Sequence, residues 1–257
     1  MLLAIDCGNT HLCLGIFKGE LLLRSWRLST DPNKTEDEYL ALLGQLFAQQ
    51  GYTLSQLDGM ILSSVVPSIN IIWRKLAEKY LKCHLLNVTP ETDIGIKILM
   101  DHPGEVGADR LVNAVAAHAK YGGKLIVVDF GTATTFDCIT EAGEYLGGAI
   151  CPGIEVAQKA LFSYAAKLAN VELRRPPAVI GRNTADALRS GLLWGYAGQT
   201  DALVGRIRQE LGQEARVVAT GGLASFIRSF SETIDLVDSQ LTLDGLRMIW
   251  QRNQGRL

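Results

Sequence analysis

The chain has 257 residues with a formal net charge of −2, which is enough length for one large domain or two small ones around a sizeable core. This charge gives no electrostatic reason to expect nucleic-acid binding, and no apolar run approaches the ~18 residues of a membrane-spanning helix. The five cysteines are scattered and lack a Cys-x-x-Cys pair, and no basic region precedes the first strand. We therefore expect reduced thiols and no signal peptide, as in a cytoplasmic protein.

The predicted elements of the first half begin with strands over residues 2–6, 11–17 and 21–29. Thr35-Glu36-Asp37-Glu38 fits a capping box and predicts a helix that ends near Gln50. Next come a buried strand over 59–66, a helix over 67–81, a short strand near 84–88, a weak strand around 94–99 and a helix over 105–121.

The second half opens with an apolar run over 124–129, and strands over 134–139 and 144–151 and a helix over 154–168 follow it. Asn183 caps a long predicted helix to about residue 211, with Gly195 and Gly198 as the places where it would break. A strand over 217–219 leads into another helix, and the last helix covers 242–252. Each half places hairpin-rich strands before alternating helices and strands, so the sequence predicts two related halves, at 1–104 and 105–257.

One short pattern occurs twice, at residues 5–10 and 128–134: an apolar strand, Asp-x-Gly, small polar residues and a second strand. A hairpin turn follows each copy, at 18–20 and 140–144. A single copy is explained equally well by an ordinary turn in which glycine takes positive φ. Two copies in the same setting favour nucleotide phosphates held by backbone N–H groups, with a carboxylate beside them to hold a cation.

Three further motifs lie at predicted helix starts. Thr220-Gly221-Gly222 follows a buried strand, where it is either a tight turn or a surface for adenine and ribose. Gly107-Ala108-Asp109-Arg110 begins a helix whose dipole alone would explain the aspartate, and the functional alternative is a base beside an anion receptor. Residues 181–184 are most simply a loop with a helix cap.

Four motifs, in the order in which they occur along the chain, resemble the signature of type III pantothenate kinases over nearly the whole chain: Asp6–Thr10, Gly107–Arg110, Asp129–Thr134 and Thr220–Gly222. The resemblance implies a duplicated ribonuclease-H-like α/β fold of the actin, sugar kinase and heat-shock chaperone superfamily, with the nucleotide in a cleft between the halves. It also implies ATP-dependent phosphorylation of the primary hydroxyl of pantothenate, the first step of coenzyme A synthesis. Members of the family are homodimers with the substrate pocket at the subunit interface.

The resemblance assigns a role to each motif. Asp109 would be the general base, Asp6 would position Mg²⁺ through water, and Asp129 would bind a monovalent cation, K⁺ or NH₄⁺. The residues expected to bind ATP are Asp6, Cys7, Gly8, Asn9, Thr10, His11, Leu12, Cys13, Gly131, Thr132, Thr220, Gly221 and Gly222. The residues expected to bind pantothenate are Met100, Gly107, Ala108, Asp109, Arg110 and Thr184, with Arg110 at its carboxylate.

Met100 departs from the family pattern, because many members have tyrosine at this position. A thioether can pack on the dimethyl group of the substrate but cannot donate a hydrogen bond. Two alternatives remain open. The first is a kinase of the same fold for another small alcohol; the second is an ATP-binding accessory or regulatory protein without turnover, against which the intact Asp6, Asp109 and Asp129 argue.

Overall fold

The computed structural model describes residues 1–89, 91–164 and 171–256, and the chain divides into two units. The first unit comprises Met1–Ile96, Asp101–Ala116 and Leu241–Leu257, and the second comprises Lys97–Met100 and Ala117–Gln240. This division differs from the predicted boundary at residues 104 and 105. Residues 105–116 and the C-terminal helix group with the first unit.

Each unit contains one five-stranded mixed sheet. The strands of the first are β1 (Leu2–Cys7), β2 (His11–Lys18), β3 (Leu21–Ser29), β4 (Gly59–Ser64) and β5 (His84–Asn87). Those of the second are β6 (Leu125–Phe130), β7 (Ala133–Ile139), β8 (Tyr145–Pro152), β9 (Arg216–Thr220) and β10 (Leu236–Val237). Their orders, β3-β2-β1-β4-β5 and β8-β7-β6-β9-β10, are the same. The predicted duplicated α/β fold is confirmed by this topology.

The duplication extends to individual residues. Strands β1 and β6 share one pattern of buried and half-buried positions, in which Asp6 and Asp129 occupy the same place. The first seven residues of β2 and β7 also share one pattern, and each strand has a register shift after its sixth residue. The two sheets can therefore be compared position by position.

The helices are α1 (Glu36–Ala48), α2 (Pro67–Leu76), α3 (Ala108–Tyr121), α4 (Ile154–Tyr164), α5 (Thr184–Leu211), α6 (Ala224–Arg228) and α7 (Leu241–Asn253). The predicted capping box of α1 is confirmed, because Glu38 N–H donates to Thr35 Oγ1 at 3.3 Å and Thr35 N–H donates to Glu38 Oε2 at 2.8 Å. The predicted cap of α5 is confirmed as well, since Asp186 N–H donates to Asn183 Oδ1 at 2.9 Å.

Several boundaries differ from the prediction. Helix α5 is not broken at Gly195 or Gly198, where a Cβ would face open space, so these glycines only weaken the helix. Helix α2 ends at Leu76 and continues as a π-helical turn, and α3 begins after a 3₁₀ turn at Pro103–Glu105. The strand expected at 94–99 is an isolated bridge at Ile98, β10 was not anticipated, and the expected end of the 154–168 helix lies outside the described residues.

The core of the first unit lies between one face of its sheet and helices α1 and α2, where Ile5, Phe47 and Trp73 are buried. Helix α7 covers the other face, and a Cβ added to Gly59 would overlap the indole of Trp250. In the second unit the corresponding core packs β6, β7 and β9 against α4, α5 and α6. Among the residues that the structure describes, none of the helices has the length and apolar character to span a bilayer.

Candidate functional site

The loop between β1 and β2 has a backbone held in place by three hydrogen bonds. Gly8 N–H donates to the His11 carbonyl at 3.0 Å, Thr30 Oγ1 donates to the Gly8 carbonyl at 2.6 Å, and Thr30 N–H donates to the Thr10 carbonyl at 3.0 Å. These bonds fix the loop before any ligand binds, which lowers the entropic cost of binding.

The side chains around this loop fall into two groups. Asn9 and Thr10 are exposed and Asp6 is half-buried at the end of β1. Cys7 and Leu12 are buried in the hydrophobic core. Of the residues predicted to bind ATP here, Cys7 and Leu12 can therefore contribute only backbone groups.

The glycines of the two loops are not there for an unusual backbone conformation. Neither Gly8 nor Gly131 has a positive φ, so the ordinary-turn explanation weighed for this pattern is wrong in that respect. A Cβ on Gly131 would make only ordinary contacts, the nearest at 3.6 Å from the Ala133 carbonyl oxygen. What glycine does provide at both positions is close access to the backbone.

The second loop, between β6 and β7, lies beside the N-terminus of a helix. Gly153 N–H donates to the Thr132 carbonyl at 3.0 Å, and a Cβ on Gly153 would overlap the carbonyl oxygens of Gly131 and Thr132. Helix α4 begins at the next residue, and the free N–H groups and dipole of a helix start favour phosphate. Gly153 was missed in the sequence, although a glycine directly before a predicted helix is a usable signal.

Asp129 lies at the end of β6, half-buried, with Thr135 of β7 and Thr220 of β9 as its neighbours in register. Gly221 has a φ of +91°, and a Cβ there would lie 2.5 Å from Asp129 Oδ1 and 2.6 Å from the Phe130 carbonyl oxygen. The structure thus packs the Thr220–Gly221 turn against the carboxylate. Asp129 Oδ1 and the Phe130 carbonyl oxygen both lie close to Gly221, and carboxylate and carbonyl oxygens are donors that fit a hard cation.

Asp129 does not belong to a cluster of the usual metal-binding side chains. Across residues 1–89, 91–164 and 171–256, no group of three or more His, Cys, Asp or Glu side chains is placed to hold a metal ion.

Asp109 lies in the first turn of α3, folded back against its own helix start. Arg110 N–H donates to Asp109 Oδ1 at 2.9 Å, and a Cβ on Gly107 would lie 2.5 Å from that oxygen, so any larger residue would displace the carboxylate. Burial raises the pKa of the Asp109 carboxyl above its ordinary value, although the N–H and guanidinium of Arg110 lower it. A partly desolvated carboxylate with increased basicity is suited to accept a proton.

Two other predicted substrate residues, Met100 and Thr184, lie in the second unit. Met100 lies against β8, with its Cγ and Sδ 3.6 Å from the Cβ position of Gly147. The segment before it is held there because Leu99 N–H donates to the Tyr145 carbonyl at 2.8 Å. Thr184 is the exposed first residue of α5, so the cap interpretation of 181–184 is confirmed and the Thr184 side chain remains accessible.

Within each unit, the structure gathers part of the predicted site. Gly107, Asp109 and Arg110 are in contact in the first unit. Asp129, Thr220 and Gly221 are adjacent in the second.

The duplicated fold of two five-stranded sheets with the same strand order is shared with solved structures of sugar kinases. The ROK hexokinase of Thermus thermophilus matches with a TM-score of 0.53 at 14% identity, covering 96% of this chain and 97% of that chain. A conserved protein of the Baf family of transcriptional activators from Campylobacter jejuni matches with a TM-score of 0.60 at 20% identity, covering 98% and 99%. At these identities the likeness shows the fold alone.

The sequence comparison is more specific. The model of the type III pantothenate kinase family matches residues 2–206. The type III pantothenate kinase of Myxococcus xanthus (strain DK1622) is 49% identical over 253 residues, which cover 98% of this chain and 99% of the relative. The chain belongs to the type III pantothenate kinase family. A kinase of this kind requires ATP and a divalent metal ion.

Proposed function

We propose that this protein transfers the γ-phosphoryl group of ATP to the primary hydroxyl of pantothenate, giving 4'-phosphopantothenate for coenzyme A synthesis. The observation that carries the proposal is the placement of Asp109. Asp109 lies within the residues that the family model matches, its carboxylate is partly desolvated, and burial raises its pKa. Such a group is what the activation of an alcohol for phosphoryl transfer requires.

In the proposed reaction, Asp109 accepts the proton of the pantothenate hydroxyl. The hydroxyl oxygen forms a bond to the γ-phosphorus, the bond from that phosphorus to the bridging oxygen breaks, and ADP leaves. Arg110 would hold the pantothenate carboxylate, because guanidinium groups bind carboxylates in a bidentate way. The other pantothenate contacts would come from Met100, Gly107, Ala108 and Thr184.

For ATP, we infer phosphate contacts from both loops. The first would use residues 6–13 and the second Gly131 and Thr132 together with the N-terminus of α4, an inference supported by their backbone access. The turn at Thr220, Gly221 and Gly222 would contact the adenosine. When bound, Mg²⁺ would neutralise phosphate charge, with Asp6 positioning it through water.

Asp129 would hold a monovalent cation, K⁺ or NH₄⁺. The Asp129 carboxylate and the Phe130 carbonyl oxygen, which both lie close to Gly221, support this assignment. When bound, the cation would supply positive charge beside the second phosphate loop. We further propose that the enzyme works in the cytoplasm as a homodimer with the pantothenate pocket at the subunit interface.

The test is ATP-dependent phosphorylation of pantothenate by the purified protein with Mg²⁺, with and without K⁺, with the product identified by mass spectrometry. Activity that rises with K⁺ in the wild type, and loses its K⁺ dependence in Asp129→Ala, is the expected result. A folded protein that does not phosphorylate pantothenate under any cation would overturn the proposal. A panel of small alcohols and a nucleotide-binding assay would then separate another substrate from a binding role without turnover.

A further inference from the structure

A buried carboxylate that the reaction above does not use lies in β7. Asp137 is fully buried, and it accepts hydrogen bonds from Tyr145 Oη at 2.6 Å and Thr135 Oγ1 at 3.1 Å. Burying a carboxylate is costly unless hydrogen bonds compensate it, so such a group needs either a structural or a functional reason.

The first unit provides an internal comparison that argues against a structural reason. In the matched strands, the places of Thr135, Asp137 and Tyr145 are taken by three other residues: Cys13, Gly15 and Leu22. The two sheets nevertheless have the same strand order, and β2 and β7 share one burial pattern over seven residues and a register shift at the same point. The fold therefore forms without this polar trio, and its presence in the second unit alone calls for another explanation.

The trio lies next to the proposed cation site. Thr135 is the cross-strand neighbour of Asp129, and facing side chains of an antiparallel pair lie on one face of the sheet, with Cβ atoms about 5 Å apart. Asp137 follows two residues later, so it is on that face too. The first unit, whose Asp6 is assigned to Mg²⁺ through water, has none of the three polar side chains.

The direction of the hydrogen bonds determines what Thr135 offers to a ligand. A threonine hydroxyl has one proton and two lone pairs, and Thr135 gives its proton to Asp137. Among the described residues, Thr135 Oγ1 accepts no hydrogen bond in return. With its proton directed at Asp137, the oxygen presents only lone pairs elsewhere, which is the orientation a cation ligand requires.

We propose that Thr135 Oγ1 is a second protein ligand of the monovalent cation at Asp129, and that Asp137, held by Tyr145, is the positioning residue that keeps the Thr135 lone pairs available. This inference rests on the proposed function only in taking Asp129 as the cation site. The polar trio of Thr135, Asp137 and Tyr145 is thus the difference that would give the second unit, and not the first, a monovalent-cation site.

The experiment measures cation binding directly, with thallium(I) as a potassium analogue followed by thallium NMR in nitrate buffer, with and without ADP. Thr135→Val removes the hydroxyl at nearly constant shape and should weaken thallium binding about tenfold, the effect of losing one dipolar contact to a charge. Thr135→Ser keeps the hydroxyl and should bind within about twofold of the wild type. Asp137→Asn should resemble Thr135→Val, because the amide N–H₂ would donate to the threonine oxygen.

Thr134→Val is the matched control. Thr134 lies next in the strand with its side chain on the opposite face, and its buried Oγ1 has no hydrogen-bond partner among the described residues. Its valine variant should bind thallium like the wild type. Circular dichroism and melting establish that each variant is folded, and if Asp137→Asn fails to fold, the threonine series decides the question.

Unchanged thallium affinity in folded Thr135→Val would overturn the inference while leaving the proposed function intact. Absence of thallium binding in the wild type would overturn both the inference and the cation part of the proposed function. Conversely, thallium binding that follows the threonine series in a protein that does not phosphorylate pantothenate would support the inference and refute the proposed substrate.

Discussion

Replacing Asp109 with asparagine should change turnover and stability in opposite directions. Asparagine keeps an oxygen that can accept the 2.9 Å hydrogen bond from Arg110 N–H, so the helix start should keep its geometry. What is lost is the ability to accept a proton. A positioned general base contributes about 10²–10⁴-fold to rate, so kcat should fall by that factor while nucleotide affinity stays near that of the wild type.

The stability effect follows from the direction of the pKa shift. Burial raises the pKa of Asp109 in the folded state, so between its ordinary pKa, about 4, and the raised one the folded protein binds more protons than the unfolded chain. The free energy of unfolding therefore falls as pH rises through this window, and the penalty is complete above it. Asp109→Asn removes the penalty, so its Tm should exceed that of the wild type at neutral pH, with the difference shrinking in acid.

The same shift should appear in the kinetics. Because the base must be deprotonated, kcat/KM of the wild type should rise with pH through the pKa of Asp109, above the ordinary carboxyl value of about 4. The assays are ADP release coupled to a dehydrogenase over a pH series, and differential scanning fluorimetry over the same series. Near-normal turnover of Asp109→Asn would refute its role as base, and a Tm below that of the wild type would refute the burial argument.

Asp201→Asn is a matched control, because the pKa of Asp201 is shifted down in the folded protein whereas that of Asp109 is shifted up. Burial raises the pKa of Asp201, but hydrogen bonds that include Ser231 Oγ at 2.6 Å and Thr233 Oγ1 at 2.7 Å outweigh it and hold the pKa below its ordinary value. Its ionised form therefore stabilises the fold above the ordinary pKa, and this contribution is lost as pH falls through the folded one. Asp201→Asn should lower stability by about 2 kcal/mol at neutral pH and keep wild-type turnover.

Three other substitutions or reactions test particular features. Gly221→Ala puts a Cβ 2.5 Å from Asp129 Oδ1 at a residue with positive φ, so it should lower the free energy of unfolding by about 1–3 kcal/mol and weaken ADP binding measured by calorimetry. Gly205→Ala in α5, where a Cβ would face open space, should leave the free energy of unfolding unchanged or raise it. Burial raises the pKa of Cys7 to about 11, so iodoacetamide at pH 8 should label it far more slowly in the folded protein than in urea, as read by peptide mass spectrometry; equal rates would contradict its burial. Thr35→Ala should lower the free energy of unfolding by about 1 kcal/mol in urea titrations through loss of the α1 cap, and an unchanged midpoint would show that the cap contributes nothing.

The features that the sequence determined are those set by neighbouring residues. The capping box at Thr35 and Glu38, the cap at Asn183 and both hairpin turns depend on bonds within a few residues, so their motifs predict them. The two Asp-x-Gly loops were recognisable for the same reason, and their repetition correctly predicted the duplicated sheet.

Contacts between distant segments could not be predicted in this way. The sequence shows Gly153 only as a glycine before a predicted helix, and its hydrogen bond to Thr132 is known only from the folded structure. The sequence shows Asp137 only as a polar position in a strand, and the pairing of β7 with β8 brings it the hydroxyl of Tyr145.

The same holds for charge and for domain membership. The raised pKa of Asp109 depends on burial, which depends on everything packed around the start of α3. The C-terminal helix α7 belongs to the first unit because Gly59 leaves space for Trp250 and Gly245 for Val112, across more than a hundred residues of sequence. Local bonds are encoded by residues a few positions apart, whereas burial and cross-strand pairing depend on which distant segments pack together, so the tertiary structure alone decided the electrostatics of this site.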